Sequence, residues 1–288
     1  MTTLITGGAS KVGSKVAALL KEAGQPVMFG SHSGRVPAGF ESVKLDWDEP
    51  STFPNPFVVA KARGTRIKNV YLMAPLPDIH HAPKIIPFIE LAVQSGVARF
   101  VYLSATIADR EHDSGGLGEI PGYLEDMGLD YVVLRPTWFI DNLETDYRDD
   151  IAGNGVITTA VPSGKVPFVW SGDIAKVAFD AFVSEGVPFE TRDPLILGPD
   201  LLSWNEVAGI LSEVLGRRIE HRVVSVEEMT RYYMDLYGPG QEDVARWLVD
   251  LDVGIEAGSQ EGLERTPGAV IGKLSLEAWV KKNKHLFV

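Results

Sequence analysis

The apolar and polar positions in the first half of the chain predict alternating strands and helices. A short apolar run at residues 3–6 meets a glycine turn, and a helical pattern follows from Val12 to Ala23. Nearly continuous apolar runs predict five more strands, and helical patterns separate several of them; the strands lie at residues 26–30, 42–45, 69–75, 99–104 and 131–136. Such runs are typical of a parallel sheet that is covered on both faces. We therefore predict a Rossmann-type, doubly wound α/β sheet.

The pattern changes after about residue 140. Residues 153–167 are rich in glycine, valine and threonine, which favours loops and short strands. Mostly helical patterns follow, and the clearest lie at residues 171–182, 202–216, 225–237 and 274–283. We therefore expect a Rossmann domain over residues 1–150. A smaller, mostly helical portion over residues 151–288 is expected to be partly woven back into the sheet.

Composition and charge narrow the class of protein. The 288 residues are 45% hydrophobic and 23% charged, and they carry a formal net charge of -12. A nucleic acid or an anionic membrane attracts a cationic face, so neither is an expected partner. The chain has no cysteine, which excludes disulfides, thiol nucleophiles and thiolate metal sites. The N-terminus does not resemble a signal peptide and no apolar run reaches membrane-spanning length, so a cytoplasmic protein is expected; no oligomeric state is indicated.

The turn after the first strand carries the first chemical signal. Gly7 suits a tight turn, and Gly13 allows the following helix to pack closely on the strand. The helix N-terminus then offers amide donors and a positive dipole to a pyrophosphate. Ser10 stands where such turns often have a third glycine, but its amide and hydroxyl can still donate to phosphate. Dinucleotide binding is favoured over an ordinary strand–helix turn.

Several further stretches, spread over nearly the whole chain, occur in a characteristic order: TGGASKVG (6–13), LDW (45–47), NPF (55–57), VYLMAP (70–75), FVYLSA (100–105), LRPTWF (134–139), PFVWSGDIAKVAF (167–179) and ILGPDLLSWNEVAGILSEVLGR (196–217). Together they resemble the NmrA-like atypical short-chain dehydrogenases/reductases. Within that group the chain most resembles the festuclavine/agroclavine dehydrogenases of ergot alkaloid biosynthesis. The resemblance implies the same fold and a reductase of secondary metabolism.

The resemblance also implies a set of site residues. The positions expected around the cofactor, from pyrophosphate through ribose and adenine to the nicotinamide ribose, are Gly7, Ser10, Val12 and Gly13; Ser31, Ser33 and Arg35; Asp46 and Trp47; and Met73, Ala74 and Pro75. The positions expected near the nicotinamide and the substrate are Ser104, Tyr123, Pro136, Thr137, Trp138, Phe139 and Trp170. Core packing explains the aromatic residues Trp47, Trp138 and Phe139 equally well, and Asp46 also suits a turn or a helix cap.

The catalytic pair of most short-chain reductases is absent. Those enzymes place a lysine four residues after a tyrosine, so that the phenol can protonate a nascent alkoxide. Tyr123 is followed at that spacing by Met127, and no other tyrosine forms the helical pair. Ser104 ends the fifth strand, where an orienting serine stands in those enzymes, but it equally suits a strand cap. Tyr123 is expected to shape the substrate pocket without being an obligatory acid.

Histidines and carboxylates give no metal signal. His80 and His81 are adjacent, so they point in different directions in a regular element, and solvated loop histidines are the favoured interpretation. The segment DREHDSGGLG, at residues 109–118, is interpreted as a mobile lid beside the nicotinamide.

Three functions remain open at this stage. The first is an NADP(H)-dependent reductase of a small hydrophobic substrate, and the absence of an acid favours a C=N (iminium) carbon. The second is an NADP(H)-binding sensor without turnover, and the third is a non-redox cyclase that uses the nucleotide as a scaffold. NADP(H) is favoured over NAD(H) because FGSHSGR, after the second strand, has no carboxylate and has donors in Ser31, Ser33 and Arg35.

Overall fold

The fold was analysed in a computed structural model that describes residues 1–75, 78–111 and 116–288. The strands are β1 (Thr2–Ile5), β2 (Val27–Ser31), β3 (Ser42–Lys44), β4 (Ile67–Met73), β5 (Arg99–Leu103), β6 (Asp130–Pro136), β7 (Val156–Thr159), β8 (Lys165–Val166), β9 (Leu195–Leu197), β10 (Leu202–Ser203), β11 (Glu220–Val223) and β12 (Val270–Ile271). The helices are α1 (Lys11–Glu22), α2 (Asn55–Ala62), α3 (Ala82–Gln94), α4 (Glu119–Asp126), α5 (Asn142–Thr145), α6 (Ser171–Val183), α7 (Trp204–Leu215), α8 (Val226–Tyr237), α9 (Glu242–Glu256) and α10 (Leu276–Asn283). Part of the expected lid, residues 112–115, lies outside the described residues.

Eight strands form the central parallel sheet in the order β12-β9-β6-β5-β4-β1-β2-β3. The predicted Rossmann-type, doubly wound α/β fold is confirmed, and each of its first six strands lies within two residues of its predicted bounds. The strand order reverses at β1, which lies between β4 and β2. Ligands of such sheets bind beyond the carboxyl ends of the strands at this reversal. A ligand is therefore expected beside the β1–α1 turn and the end of β4.

The chain divides into two compact units. The first contains residues Met1–Arg135 and Ile174–Pro194, and the second contains Pro136–Asp173 and Leu195–Val288. In the first unit, Trp47 and Phe53 pack edge-to-face on Phe88 between the sheet and its helices. In the second unit, Trp204 packs against Tyr147 and Phe168 in a separate apolar core. Each unit therefore buries its own hydrophobic centre.

Serine caps define several helix starts in the second unit. Ser203 and Ser225 each form a reciprocal capping box with a glutamate three residues later, and Ser275 caps α10. The predicted helices 202–216, 225–237 and 274–283 therefore begin close to the expected positions. Among the described residues, no helix has both the length and the apolar character needed to cross a membrane.

Candidate cofactor and substrate site

Two glycines shape the turn between β1 and α1. Gly7 has a φ of 82°, and a Cβ on it would lie 3.0 Å from the Met73 sulfur. Gly8 has a φ of 54°, and a Cβ there would lie 2.9 Å from the Arg35 carbonyl oxygen. A side chain at either position would be strained in its backbone and crowded by a neighbour. The turn thus brings the expected pyrophosphate residues against the end of β4 and the loop after β2.

Ser10 begins helix α1 and keeps a donor for a ligand. Its side-chain oxygen accepts a hydrogen bond from the Gly13 amide at 3.2 Å, which makes it the N-cap. A hydroxyl that accepts a hydrogen bond still has its own proton to donate. A Cβ on Gly13 would lie 2.6 Å from the Ser10 Oγ and 3.0 Å from Ile5, so glycine permits the close approach of α1 to β1. Val12, in the same turn, is buried.

The loop after β2 presents an unpaired cation. The Ser31 hydroxyl accepts from the Gly34 amide at 3.0 Å and donates to the Arg35 carbonyl, so Ser31 mainly builds the turn. The exposed Ser33 hydroxyl accepts from the Arg35 amide at 3.4 Å. The guanidinium of Arg35 is exposed and makes no hydrogen bond or ion pair with any described residue. Of the three predicted donors, Arg35 is therefore the one whose charged group is exposed and available to an anion.

The Asp46 carboxylate lies beside two basic side chains. Lys44 donates to its carboxylate at 3.0 Å, and the His32 ring lies 3.4 Å away. Partial burial acts to raise the pKa of Asp46, but the hydrogen bonds from Lys44 and from the Asp48 amide lower it overall. The carboxylate thus stays ionised with a cation beside it. Trp47 is buried in the core cluster of the first unit, which matches the packing interpretation of this residue; its contact with adenine stays a prediction.

The end of β4 is fixed to the end of β1. The Thr6 hydroxyl donates to the Tyr71 carbonyl and accepts from the Met73 amide, both at 3.0 Å. Met73 and Pro75 are half-buried, and Ala74 is buried. The three predicted nicotinamide-ribose residues therefore follow a strand end whose position beside the glycine turn is set by side-chain hydrogen bonds.

The Ser104 hydroxyl hydrogen-bonds to the protein backbone. Its hydroxyl donates to the Leu117 carbonyl oxygen at 3.1 Å, and its amide donates to Leu134 in β6 at 2.8 Å. The residue is buried. Ser104 thus joins the end of β5 to the segment that leads into α4. This is the strand-capping arrangement, and a catalytic contact of Ser104 stays a prediction.

Tyr123 lies on the half-buried face of α4 and points toward α3. Its hydroxyl donates to the Glu90 carboxylate at 3.1 Å on an exposed surface. Burial raises the pKa of Tyr123, and the neighbouring Glu90 raises it further. At neutral pH the phenol is therefore protonated and its proton is held by a carboxylate. A contact of Tyr123 with the nicotinamide or the substrate stays a prediction.

The prediction that His81 is a solvated loop histidine is wrong, because its side chain is buried. Its side chain is only 1% exposed, whereas His80 is exposed. Nδ1 lies 3.0 Å from the Asp78 carbonyl oxygen, so it must carry the proton; Nε2 then accepts from the Tyr102 hydroxyl at 3.2 Å in the neutral ring. Sequence reasoning missed this buried pair because the two residues lie on different elements, and only their position at neighbouring strand ends hinted at contact.

The aromatic residues predicted for the substrate come together in the second unit. Backbone hydrogen bonds join residues 138–140 to Val169, which places Trp138 and Phe139 beside Trp170 in a short parallel bridge. Both tryptophans are half-buried and pack on the core of that unit. The Trp138 indole N–H is buried and has no hydrogen-bond partner among the described residues. These rings form part of the core and retain partly exposed edges.

Comparisons with known proteins agree with the resemblance seen in the motifs. No family model matches the chain. It is 36% identical over 275 residues to festuclavine synthase I of Penicillium roqueforti, covering 94% of each chain. It is also 36% identical over 267 residues to agroclavine dehydrogenase of Claviceps fusiformis, covering 91% of this chain and 90% of that protein. The structure of Citrobacter sp. triphenylmethane reductase complexed with NADP(H) is similar at 20% identity with a TM-score of 0.74, covering 98% and 99% of the two chains. From its sequence identity over nearly its full length, the chain belongs to the family of the festuclavine and agroclavine dehydrogenases.

Proposed function

We propose that the chain is an NADPH-dependent reductase that transfers hydride to the C=N carbon of a small, hydrophobic, alkaloid-like iminium ion. The observation that carries the proposal is the state of the two candidate acids. The Ser104 hydroxyl donates to Leu117 and the Tyr123 hydroxyl donates to Glu90, so neither has a free proton for a substrate. Family relatives named for festuclavine and agroclavine support a clavine-like substrate.

The chemistry of an iminium ion fits such a site. Reduction of a carbonyl produces an alkoxide, which must receive a proton from an acid. Hydride addition to an iminium carbon gives a neutral amine directly, and no proton is transferred. The protein then needs only to orient the reactants and exclude water. The formal net charge of -12 also attracts a cationic substrate from solution.

The residues of the first unit fit NADP(H). Gly7 and Gly8 give the turn its left-handed backbone, Ser10 has a hydroxyl proton to donate, and α1 directs its N-terminus toward the same turn. Arg35 supplies positive charge at the carboxyl end of β2, where the extra phosphate of NADPH would need it. When bound, NADPH supplies the hydride. The chain's own residues hold the nucleotide and keep its phosphates neutralised.

The second unit supplies the proposed substrate contacts. Trp138, Phe139 and Trp170 are half-buried and offer aromatic surface, and the Trp138 N–H is a donor that no described protein group accepts. Aromatic faces attract both apolar rings and delocalised cations. A hydrophobic iminium ion combines these two properties.

The test uses two NADPH samples, one with deuterium on each face of the nicotinamide, together with N-methyl-dihydroisoquinolinium as a preformed iminium ion. The proposal requires that one sample, and not the other, places one deuterium on the former C=N carbon in a single stereochemistry, with NADPH oxidised in equal amount. Product from an open-chain amino-aldehyde precursor without label and without NADPH oxidation would instead indicate a cyclase. Tight NADPH binding with no product from any imine, ketone or enal would indicate a sensor.

A further inference from the structure

A buried carboxyl in the second unit lacks the hydrogen bonds that such a group normally has. Asp252 lies on α9 and is only 2% exposed. Among the described residues, its one hydrogen bond comes from the Ala160 amide, at a long 3.4 Å to Oδ2. Oδ1 has no hydrogen-bond partner in the part of the chain that the structure describes. Ala160 belongs to an apolar cluster that also contains Met229 and Val249, so the carboxyl lies beside groups that offer it little hydrogen bonding.

Two buried phenols lie close enough to Asp252 to feel its charge: Tyr233, in the same apolar cluster as Ala160, and Tyr147, in the main core of the unit. Tyr147 is 5% exposed and Tyr233 is 6% exposed, yet neither hydroxyl makes a hydrogen bond with any described residue. Burial raises the pKa of both phenols well above its usual value, and the Asp252 charge is close enough to raise both further. No described protein group pairs with Asp252 Oδ1 or with either phenol oxygen, and none of these three oxygens is fully enclosed. Each therefore keeps some access to solvent, through which a ligand can reach it.

Asp141 shows what a structural buried acid looks like in the same unit. It is 4% exposed and accepts from the Ser171 amide at 2.9 Å and from the Ser171 hydroxyl at 2.5 Å. Both of its oxygens therefore have strong donors at the start of α6. Asp252 has neither a comparable donor nor an ion pair with any described lysine, arginine or histidine. The contrast argues that Asp252 is not placed there to hold the fold.

The chemistry of the three groups defines the partner. A carboxylate supplies negative charge, and the two phenols supply hydroxyl dipoles and negative ring faces that attract a cation. The apolar surroundings favour a ligand whose charge sits on a hydrophobic body. We propose that Asp252, Tyr147 and Tyr233 bind the positively charged nitrogen of a hydrophobic amine or iminium ligand. Its identification with the substrate rests on the function proposed above.

The experiment measures binding and turnover separately in the full chain. The cationic probe is N-methyl-dihydroisoquinolinium, and the neutral probe of the same shape is the lactam N-methyl-dihydroisoquinolinone. Calorimetric titrations use the wild type, Asp252→Asn, Tyr233→Phe and the control Asp250→Asn, which removes an exposed carboxyl from the same helix. NADPH oxidation with the cationic probe then gives kcat and KM for each variant.

We expect Asp252→Asn to raise Kd for the cation by about 10- to 100-fold, the range of a lost charged hydrogen bond. The Kd of the lactam should change by less than about threefold, because a neutral ligand gains little from the carboxylate. KM for the cation should rise in parallel while kcat stays within about threefold, as expected for a group that binds substrate without joining the hydride transfer. Tyr233→Phe should weaken the cation less, and Asp250→Asn should leave both ligands unchanged.

The outcomes separate this proposal from the proposed function. Reduction of the probe with a KM that Asp252→Asn does not change would overturn the binding site and leave the reductase intact. Charge-selective binding that is lost in Asp252→Asn, without NADPH oxidation by any variant, would support the site and overturn the reductase. Equal losses for the cation and the lactam would show that the substitution only disturbs packing, and would overturn the site.

Discussion

The ionisation of Asp252 should make the stability of the protein depend on pH in a predictable direction. Burial raises the pKa of this carboxyl from 3.8 to about 7, against a small lowering by the Ala160 amide. The folded-state pKa lies above the value of the unfolded chain, so the folded protein holds the proton more tightly. The stabilisation is present in full below about pH 4 and is lost as pH rises through about 7.

The expected magnitude follows from the two pKa values. Between pH 5 and pH 8, the linkage relation gives a loss of about 2.5 kcal/mol in the free energy of unfolding from this one group. The asparagine in Asp252→Asn cannot ionise, so the variant does not lose this part of its unfolding free energy. At pH 8, ionised Asp252 costs about 4 kcal/mol, whereas a buried amide with an unmet hydrogen bond costs about 1–3 kcal/mol. The variant should therefore be more stable than the wild type at pH 8 and similar to it at pH 5.

Urea unfolding followed by tryptophan fluorescence at both pH values measures the difference. The variant-minus-wild-type difference in unfolding free energy should grow by about 2.5 kcal/mol from pH 5 to pH 8. In the control Asp250→Asn, an exposed carboxyl is removed and the free energy should change by less than about 0.5 kcal/mol at either pH. A difference for Asp252→Asn that stays constant within the same margin would refute the reasoning, because the carboxyl would then ionise in the folded protein as readily as in the unfolded chain.

Three further substitutions test the first unit. Arg35→Ala should weaken NADPH binding by about 10- to 100-fold and NADH binding by less than about threefold, because only NADPH has the extra phosphate. Fluorescence titration measures the affinity for both nucleotides, and equal losses of affinity would contradict this role of Arg35. Tyr123→Phe should keep turnover of the iminium probe within about tenfold, and a loss on the order of a thousandfold would identify Tyr123 as the acid. His81→Phe should lower the unfolding free energy by about 1–3 kcal/mol, because it removes the two buried ring nitrogens that contact the Asp78 carbonyl oxygen and the Tyr102 hydroxyl. An unchanged urea midpoint would show that these contacts are dispensable.

Much of the sheet could be predicted because its strands are encoded by local apolar runs. The run at residues 131–136 predicts a strand, and β6 occupies Asp130–Pro136. The serine caps of α7 and α8 likewise follow from a serine and a glutamate three residues apart. Such signals lie within a few residues of the element that they define, so one sequence is enough to recognise them.

The missed features depend on contacts between distant residues. Helix α9 was not predicted, although Ala245, Val249, Asp252 and Ile255 are buried at helical spacing. Asp252 interrupts the apolar pattern on this helix face, and the helix could therefore not be recognised from the periodicity of apolar residues. The same break is the signal that reasoning from sequence could have used, because a charged residue at a core position requires a special explanation. The His81–Tyr102 contact has no local signature at all.

The first unit is built from two separate stretches of chain, which bears on how the protein emerges from the ribosome. Residues 174–194 belong to the same unit as residues 1–135, although 38 residues of the second unit, 136–173, intervene. Within the first unit, Arg99 donates to the Ala181 and Ser184 carbonyl oxygens at 2.6 and 2.8 Å, at the C-terminal end of α6. A nascent chain of 150 residues therefore lacks partners that its β5 strand needs. Translation must continue past residue 194 before all residues of the first unit are available to fold, so an expression product of residues 1–150 alone should be an aggregation-prone fragment rather than an independent domain.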